Sequence, residues 1–282
     1  MSRIGLLHPG AMGASIGAQL TSKTHTVLWW PEERSERSAK RAEQAGLTSS
    51  SQIDDWLTAD YLISICPPDA AESVAQSVID WGYRGTFVEA NAISPMRLRD
   101  IAKKLEASGV QVIDGSVIGG PVWPGEGALS SVIACSGRGA DAFAALFEET
   151  GFEGMVVSTE LGDASSLKMV FAALTKGSIA LVSEILNVAE QLGVRSELEK
   201  LWGDQATQQR HNQVSTNAAK AWRFAGEMRE ISQTFSEVGA ASGFHEAAAL
   251  VFERLESHKD WVERPSLDAL LGSLSSQDIE EK

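Results

Sequence analysis

Residues 4–17 read IGLLHPGAMGASIG, and this stretch decides the fold. It opens with an apolar run, residues 4–7, which is typical of a strand buried on both faces of a sheet. The run stops at His8-Pro9-Gly10, after which the small residues of 11–20 predict a helix. A second apolar run at 26–30 completes a strand, a turn, a helix and a strand. Such a βαβ unit is the setting in which a glycine-rich turn binds a dinucleotide.

The glycine pattern of this turn is incomplete. In a G-x-G-x-x-G reading its three positions are His8, Gly10 and Gly13, so histidine takes the place of the first glycine. The two remaining glycines permit close approach of a pyrophosphate and close packing of helix on strand, and the amides of the helix N-terminus face the negative charge. An ordinary strand–helix turn is the alternative interpretation. The residues of this turn that we expect to bind a cofactor are His8, Pro9, Gly10, Ala11, Met12 and Gly13.

The composition is that of a soluble globular protein with one large or two medium domains, since 43% of the 282 residues are hydrophobic and 22% are charged. A net charge of −14 argues against a nucleic-acid partner, although one phosphorylated ligand remains compatible with it. Cys66 and Cys135 lie in apolar runs and indicate neither a disulfide framework nor a metal site. We expect no membrane partner and a cytoplasmic location, because neither a signal peptide nor a membrane-spanning segment is recognisable. We also expect no metal, because no ligand spacing typical of a metal site is present.

The loop after the second strand bears on the choice of cofactor. In a dinucleotide fold this loop meets the adenosine ribose, where an acid binds the 2′-hydroxyl and an arginine accommodates a 2′-phosphate. No acid stands directly at the strand's end, and Arg34 and Ser35 follow shortly after it. We therefore expect a preference for NADP, with NAD as the alternative because Glu32 and Glu33 share the loop.

Strands and helices then alternate, which predicts an α/β fold with a doubly wound, mainly parallel Rossmann sheet over residues 1–162. The further apolar runs expected to be strands are 61–66, 86–89, 110–113, 131–135 and 155–157. Ligands of such a sheet bind at the carboxyl ends of its strands. Segments 8–10, 66–68, 91–94 and 114–116 should therefore lie along one edge, with a loop over 114–129.

Strand signals end at Gly162, and residues 163–271 predict an all-helical second domain, to which the resemblance given below assigns substrate binding and dimerisation. Its helices are expected near 164–192, 196–208, 228–238 and 245–255. The polar tail 272–282 is predicted to be disordered.

Lys168 is the candidate acid/base. It lies in the first turns of the long helix among apolar neighbours, where desolvation would lower its pKa and allow proton exchange with a substrate hydroxyl. A lysine that extends to solvent from a domain boundary is the alternative, and Lys176 is a weaker rival. The bare amides of Gly119 and Gly120 suit a substrate oxygen, or simply form a bend. Trp123 and His245 are candidates for the substrate pocket, with structural packing as the alternative for each.

Five motifs occur in order along the chain. They are Gly-Ala-Met-Gly (10–13), Ile-Ser-Ile-Cys-Pro-Pro (63–68), Asn-Ala-Ile-Ser-Pro (91–95), Asp-Gly-Ser-Val-Ile-Gly-Gly-Pro (114–121) and a lysine that opens a long helix. The chain thereby resembles the β-hydroxyacid dehydrogenases, relatives of 6-phosphogluconate dehydrogenase, and most closely the branch with a DUF1932 C-terminal domain.

The resemblance implies NAD or NADP bound through Gly10, Met12 and Gly13, with Lys168 as general acid/base. It also implies a homodimer whose helical domains complete each other's cleft. The cofactor contacts implied beyond the turn are Cys66, Pro67, Pro68 and Asn91. The substrate contacts implied are Ser116, Val117, Gly119 and Gly120.

The chain departs from the family's pattern at two places. Phe171 and Ala172 stand where asparagine commonly follows the lysine, and Ile118 stands where serine precedes the paired glycines. Both changes remove polar groups that would hold a hydroxyacid. We expect an NADP-preferring oxidoreductase acting on a small hydroxy or oxo compound. The alternatives are an imine reductase, whose relatives usually replace the lysine, and a dinucleotide-binding sensor without turnover.

Overall fold

The computed structural model describes residues 1–126, 131–259, 261 and 263–275. The chain divides into two compact units, Met1–Lys168 and Met169–Lys282. The sequence-predicted boundary between 162 and 163 coincides with the start of a long helix, whereas the division between the units falls inside that helix.

The first unit is built on a twisted sheet in the order β3-β2-β1-β4-β5-β6-β7-β8. All neighbouring strands are parallel except the antiparallel pair β6–β7, so the predicted doubly wound, mainly parallel sheet is confirmed. The strands are β1 (Arg3–Leu6), β2 (Thr26–Trp29), β3 (Thr48–Ser49), β4 (Tyr61–Ser64), β5 (Thr86–Glu89), β6 (Gln111–Ile118), β7 (Ser131–Ser136) and β8 (Phe152–Ser158). The helices of this unit are α1 (Ala11–Ser22), α2 (Glu36–Gln44), α3 (Ile53–Leu57), α4 (Ala71–Asp80), α5 (Pro95–Ala107) and α6 (Ala140–Ala144).

The two faces of the sheet carry separate hydrophobic clusters, because successive strand residues point to opposite faces. Ile4 and Leu6 of β1 join a cluster with Phe143 of α6, whereas Leu62 of β4 joins one with Trp56 of α3. Gly5 permits this second packing, since a β-carbon there would lie 2.8 Å from the Trp56 ring. The sequence pattern predicted neither α3, which this tertiary contact holds, nor β3, which is held by its pairing with β2.

Strand β6 is longer than predicted. It continues past Ile113 to Ile118, and Asp114 and Ser116 pair with Ser136 and Ala134 of β7. The expected loop over 114–129 is therefore wrong at its beginning, and residues 127–130 lie outside the described residues.

The second unit is helical throughout the residues that the structure describes, as predicted. Helix α7 (Asp163–Gln191) passes from the first unit into the second. It is followed by α8 (Arg195–Trp202), α9 (Asp204–Asn217), α10 (Ala221–Glu237), α11 (Gly243–Arg254) and α12 (Leu267–Ser275). The predicted disorder from residue 272 is wrong for the end of α12, where the side chain of Leu274 is 2% exposed. Residues 276–282 lie outside the described part of the chain.

Helix α7 contradicts the expectation that no segment of the chain is able to span a membrane. By length and composition it is able to cross a membrane, with a mean hydropathy of 1.6 in its most apolar window. The core helix of a soluble protein passes the same test, and 44% of that window is buried within the protein.

Candidate active site

The turn between β1 and α1 gives its two glycines different roles. Gly10 precedes α1 with an extended backbone (φ −67°, ψ −172°), no side chain caps the helix there, and a β-carbon on Gly10 would meet nothing within 4 Å. A β-carbon on Gly13 would lie 2.3 Å from the carbonyl oxygen of His8. Gly10 thus leaves open space beside the N-terminal amides of α1, and Gly13 allows the helix to pack closely on the turn. A pyrophosphate needs both features.

Histidine at the first position of the pattern does not strain the turn, because His8 is not among the residues with positive φ. Burial, and then the charge of Arg34, lower the pKa of His8 to about 4, so the ring is neutral at pH 7. His8 Nδ1 and Arg34 Nε are buried without hydrogen-bond partners among the described residues. Buried polar atoms are seldom left unpaired, and these two suit the oxygen atoms of an anionic ligand.

Arg34 joins the loop after β2 to the glycine turn. Its Nη2 donates a 3.2 Å hydrogen bond to the carbonyl oxygen of Leu7, which ends the first apolar run. The Ser35 hydroxyl caps α2 by accepting a hydrogen bond from the Ser38 amide, and contact of Ser35 with a cofactor stays a prediction. Glu32 and Glu33 of this loop are exposed. The structure therefore brings one cation, Arg34, to the turn.

Asn91 braces the loop after β4. Its Oδ1 accepts a 2.5 Å hydrogen bond from the Cys66 amide, and its Nδ2 donates to Ser64 Oγ at 3.1 Å. The residue is only 2% exposed. The Asn91 side chain therefore holds the Cys66-Pro67-Pro68 segment in place, and contact of Asn91 with a cofactor stays a prediction. Pro68 is held further by Arg97, which donates to its carbonyl oxygen.

The predicted substrate residues of β6 divide into two groups. Ser116 is fully buried with no partner for its Oγ among the described residues, and Val117 belongs to a hydrophobic cluster; substrate contact by either stays a prediction. Gly119 has φ +118°, and a β-carbon there would lie 2.4 Å from Ser131 Oγ. A β-carbon on Gly120 would meet nothing within 4 Å. Gly120 thus has open space beside its Cα, Gly119 is packed against Ser131, and substrate contact at the paired glycines stays a prediction.

Trp123 and His245 have packing roles in the structure. Trp123 packs against a small alanine cluster that includes Ala14 of α1. His245 lies in α11 of the second unit, where it is buried with its ring centroid 4.3 Å from that of Phe235. Substrate contact by either residue stays a prediction.

Asp114 organises the start of α7. Its buried carboxylate accepts hydrogen bonds from the Gly162 and Ser165 amides at 3.0 and 2.9 Å. It also accepts from the hydroxyls of Ser165 and Ser136 at 2.7 and 3.0 Å. An acid at a helix N-terminus also interacts favourably with the helix dipole. Burial raises the pKa of Asp114, and the four donors oppose that effect.

Lys168 follows Ser165 by about one helical turn. Desolvation lowers the pKa of its ammonium to about 8, although the negative charges of Asp114 and Glu89 act in the opposite direction. Lys168 forms no hydrogen bond or ion pair with any residue that the structure describes. A lysine that titrates this close to neutrality and is not held by a partner is suited to proton exchange.

The rival lysine is engaged elsewhere. Lys176 forms an ion pair with Glu227 and lies over the ring of Phe224, with Nζ 5.0 Å from the ring centroid. Sequence reasoning selected Lys168 but missed Asp114 and Glu89 as its charged neighbours. The signal for both was an acid at the end of, or just after, an apolar strand run. Within the described residues, no group of three or more His, Cys, Asp or Glu side chains is arranged to hold a metal ion.

The different roles of Gly10 and Gly13 can be tested by replacing each glycine with alanine. In Gly10→Ala we expect an unchanged melting temperature and at least tenfold weaker NADPH binding, because the added methyl group occupies only the space above the amides. In Gly13→Ala we expect a lower melting temperature, because the methyl group meets the His8 carbonyl oxygen. Thermal unfolding and cofactor-fluorescence titration measure the two effects. Unchanged NADPH binding in Gly10→Ala would contradict the assignment of this turn.

Comparison with known proteins agrees with this architecture. The conserved protein MTH1747, of unknown function but described as structurally similar to 3-hydroxyacid dehydrogenases, is 25% identical with a TM-score of 0.65, over 91% of this chain and 97% of its own. The Mycobacterium tuberculosis 3-hydroxyisobutyrate dehydrogenase, solved with L-serine, is 16% identical with a TM-score of 0.71, over 98% and 100%. An imine reductase from Myxococcus stipitatus, solved with NAD⁺, is 17% identical with a TM-score of 0.53, over 98% and 100%.

The sequence matches are consistent with these structures. An uncharacterised 28.5 kDa protein of Methanothermus fervidus is 27% identical over 197 residues, which are 70% of this chain and 74% of its own. Residues 186–255 match a domain of unknown function, DUF1932. Residues 3–159 match the NAD binding domain of 6-phosphogluconate dehydrogenase. Because this last match spans more than half of the chain, the protein belongs to the family of that NAD-binding domain, and its first unit binds a nicotinamide dinucleotide.

Proposed function

We propose that the protein is an NAD(P)-dependent oxidoreductase that acts on a small hydroxy or oxo compound, with Lys168 as general acid/base. The observation that carries this proposal is the environment of Lys168. The lysine is desolvated, titrates near pH 8 and lies in the same unit as the open glycine turn. A nicotinamide-binding domain with such a lysine is suited to coupled hydride and proton transfer.

The residues of the glycine turn fit the cofactor's pyrophosphate, with Gly10 leaving the α1 amides open. When bound, the nicotinamide ring supplies or accepts the hydride. In the reduction direction, the Lys168 ammonium gives a proton to the substrate oxygen as a C–H bond forms at the carbonyl carbon. In oxidation, neutral Lys168 takes the hydroxyl proton as the same C–H bond breaks. A pKa near 8 makes both forms of Lys168 accessible around neutral pH.

Replacing the lysine tests its role. In Lys168→Ala we expect unchanged NADPH binding and turnover lowered by roughly 10² or more, because the proton-exchanging group is lost. Lys103→Ala, which removes an exposed lysine of α5, is the matched control and should keep full turnover. Steady-state rates and cofactor titrations distinguish the two. Full activity of Lys168→Ala on the true substrate would refute the role.

We also propose a preference for NADP over NAD. Arg34 lies in the loop after β2, the region that meets the adenosine ribose in this fold, and it has a buried Nε without a partner among the described residues. A guanidinium binds a phosphate through several charge-assisted hydrogen bonds.

The cofactor preference is tested by removing this cation. Arg34→Ala should raise the Kd for NADPH about tenfold and leave the Kd for NADH within about twofold, since only NADPH carries the 2′-phosphate. Lys40→Ala, an exposed change on α2, is the control. Fluorescence titration with each cofactor gives both constants. Equal loss of NADPH and NADH affinity would assign Arg34 to the shared part of the cofactor instead.

Imine reduction is the second candidate function. It is favoured by the apolar residues Phe171, Ala172 and Ile118 at positions where the resemblance implies polar groups for a hydroxyacid, whereas the retained Lys168 favours a hydroxy or oxo substrate. A screen of hydroxyacids, aldehydes and cyclic imines with NADPH and NADH separates these reactions. Turnover of imines alone would overturn the first proposal. Tight cofactor binding without any turnover would leave the role of a dinucleotide sensor.

We further propose that the protein is a homodimer that associates through α7. Apolar side chains on one face of this helix are exposed, among them Leu174 at 73%, Leu181 at 47% and Val188 at 45%. Their spacing of three, four or seven residues places them in one stripe. A contiguous apolar stripe of this kind marks an interaction surface.

A charge placed in the stripe should prevent this association. In Leu181→Glu we expect a monomer where the wild type is a dimer, because the carboxylate would be buried without a partner. Val238→Glu, at an exposed apolar residue just after α10, is the matched control and should remain dimeric. Light scattering coupled to size-exclusion chromatography gives the masses. A monomeric wild type would contradict the proposal.

A further inference from the structure

We propose that Glu89, buried in β5 beside Asp114, is a positioning residue that keeps the Lys168 ammonium protonated as the pH rises. This inference rests on the proposed acid/base role of Lys168 and extends it. Glu89 acts on Lys168 through its charge and does not itself touch the substrate.

The geometry starts with the pairing of two strands. Glu89 and Asp114 are register partners in the parallel pair β5–β6, and both are fully buried. Ser165 of α7 bonds directly to Asp114, and Lys168 lies one turn further along the same helix. The two acids and the lysine are therefore held together by a strand pairing and a helix anchor.

The two acids differ in how well they are hydrogen-bonded. Asp114 accepts four hydrogen bonds, from two amides and two hydroxyls. Glu89 Oε1 accepts one, from the Asn91 amide at 2.9 Å, and Glu89 Oε2 has no partner in the described part of the chain. Two adjacent buried carboxyls do not readily ionise together. Four donors thus favour the ionised form of Asp114 against the effect of its burial, whereas a pKa of about 8 leaves Glu89 protonated at neutral pH.

The proton of Glu89 is lost over the same pH range as that of Lys168. Burial, together with the charge of Asp114, raises the pKa of Glu89 to about 8, and desolvation lowers the pKa of Lys168 to about 8. As Glu89 ionises, its new negative charge favours the ammonium form of Lys168. Sites that interact in this way titrate as a pair, over a wider pH range than either site alone.

The other charged groups around Glu89 do not titrate in this interval. Glu72 of α4 has a pKa below its ordinary value because it accepts hydrogen bonds from Arg97 of α5. Arg97 is a permanent cation that favours the ionised form of Glu89. Cys66 stays a thiol because burial raises its pKa to about 11. The groups whose charges act on Lys168 are Asp114 and Glu89, and the pKa of Glu89, about 8, lies in the same range as that of Lys168.

The test measures the titration of Lys168 directly. Trace acetylation of the full chain, followed by mass spectrometry of the peptide that contains Lys168, reports the neutral amine as a function of pH and requires neither substrate nor cofactor. Glu89→Gln removes the ionisable group and retains an oxygen for the Asn91 amide. Glu89→Asp keeps the acid. Glu72→Gln is the matched control, since it makes the same chemical change at an acid whose charge does not act directly on Lys168.

We expect Glu89→Gln to lower the pH midpoint for Lys168 acetylation by at least about half a pH unit, which is about threefold faster acetylation at pH values well below both midpoints. Glu89→Asp and Glu72→Gln should stay near the wild-type midpoint. An unchanged midpoint in Glu89→Gln would overturn the proposal. Should that variant fail to fold, the wild-type curve decides: a broadened titration supports coupling, and a one-site curve overturns it.

A kinetic readout separates this inference from the proposed function. If the protein is an oxidoreductase, the Lys168-dependent limb of its pH profile for kcat/KM should move to lower pH in Glu89→Gln. A shifted acetylation midpoint in a protein without turnover would confirm the coupling and reject the enzymatic role. Turnover with an unchanged acetylation midpoint would support the enzymatic role and reject the coupling.

Discussion

The carboxylate of Asp114 is the interaction on which the start of helix α7 depends. It is buried in the sheet and binds two amides and one hydroxyl at the start of α7, so the helix can begin in only one place and orientation. Removing such a charge from water is costly unless its hydrogen-bonding capacity is satisfied, and here four donors satisfy it. The position of Lys168 follows from this anchor, because the rigid turn after Ser165 fixes where its backbone lies.

Much of the first unit is readable from the sequence because its signals are local. The run at 4–7, the glycine turn and the next apolar run specify a βαβ unit without knowledge of distant residues. The same local reasoning failed at β6. Asp114, Gly115 and Ser116 look like a turn in isolation, and they are strand because they pair with β7. That pairing is long-range, and the sequence pattern of one segment does not contain it.

In the candidate site, too, local features could be predicted from the sequence and long-range contacts could not. Gly10, Gly13 and Lys168 were identifiable because backbone openness and an apolar helical setting are properties of short segments. Asn91 was expected to contact the cofactor because the family resemblance implies it, and in the structure its side-chain amide bonds to Ser64 and to the Cys66 amide. The role of a polar side chain at a strand end depends on which neighbouring groups form hydrogen bonds with it in the folded protein. Only the tertiary structure determines that neighbour.

Two lysines of α7 show how such neighbours decide chemistry. Lys176 is paired directly with Glu227, and a direct ion pair stabilises the ammonium. Lys168 lies near two acids, yet neither forms an ion pair with it: the oxygens of Asp114 are occupied by its four donors, and Glu89 is a neutral acid at pH 7. The negative charge of Asp114, and that of Glu89 as the pH approaches its pKa of about 8, therefore favour the ammonium form of Lys168 without a direct ion pair. A lysine stabilised in this indirect way keeps the ability to exchange a proton with a substrate, which a directly paired lysine loses.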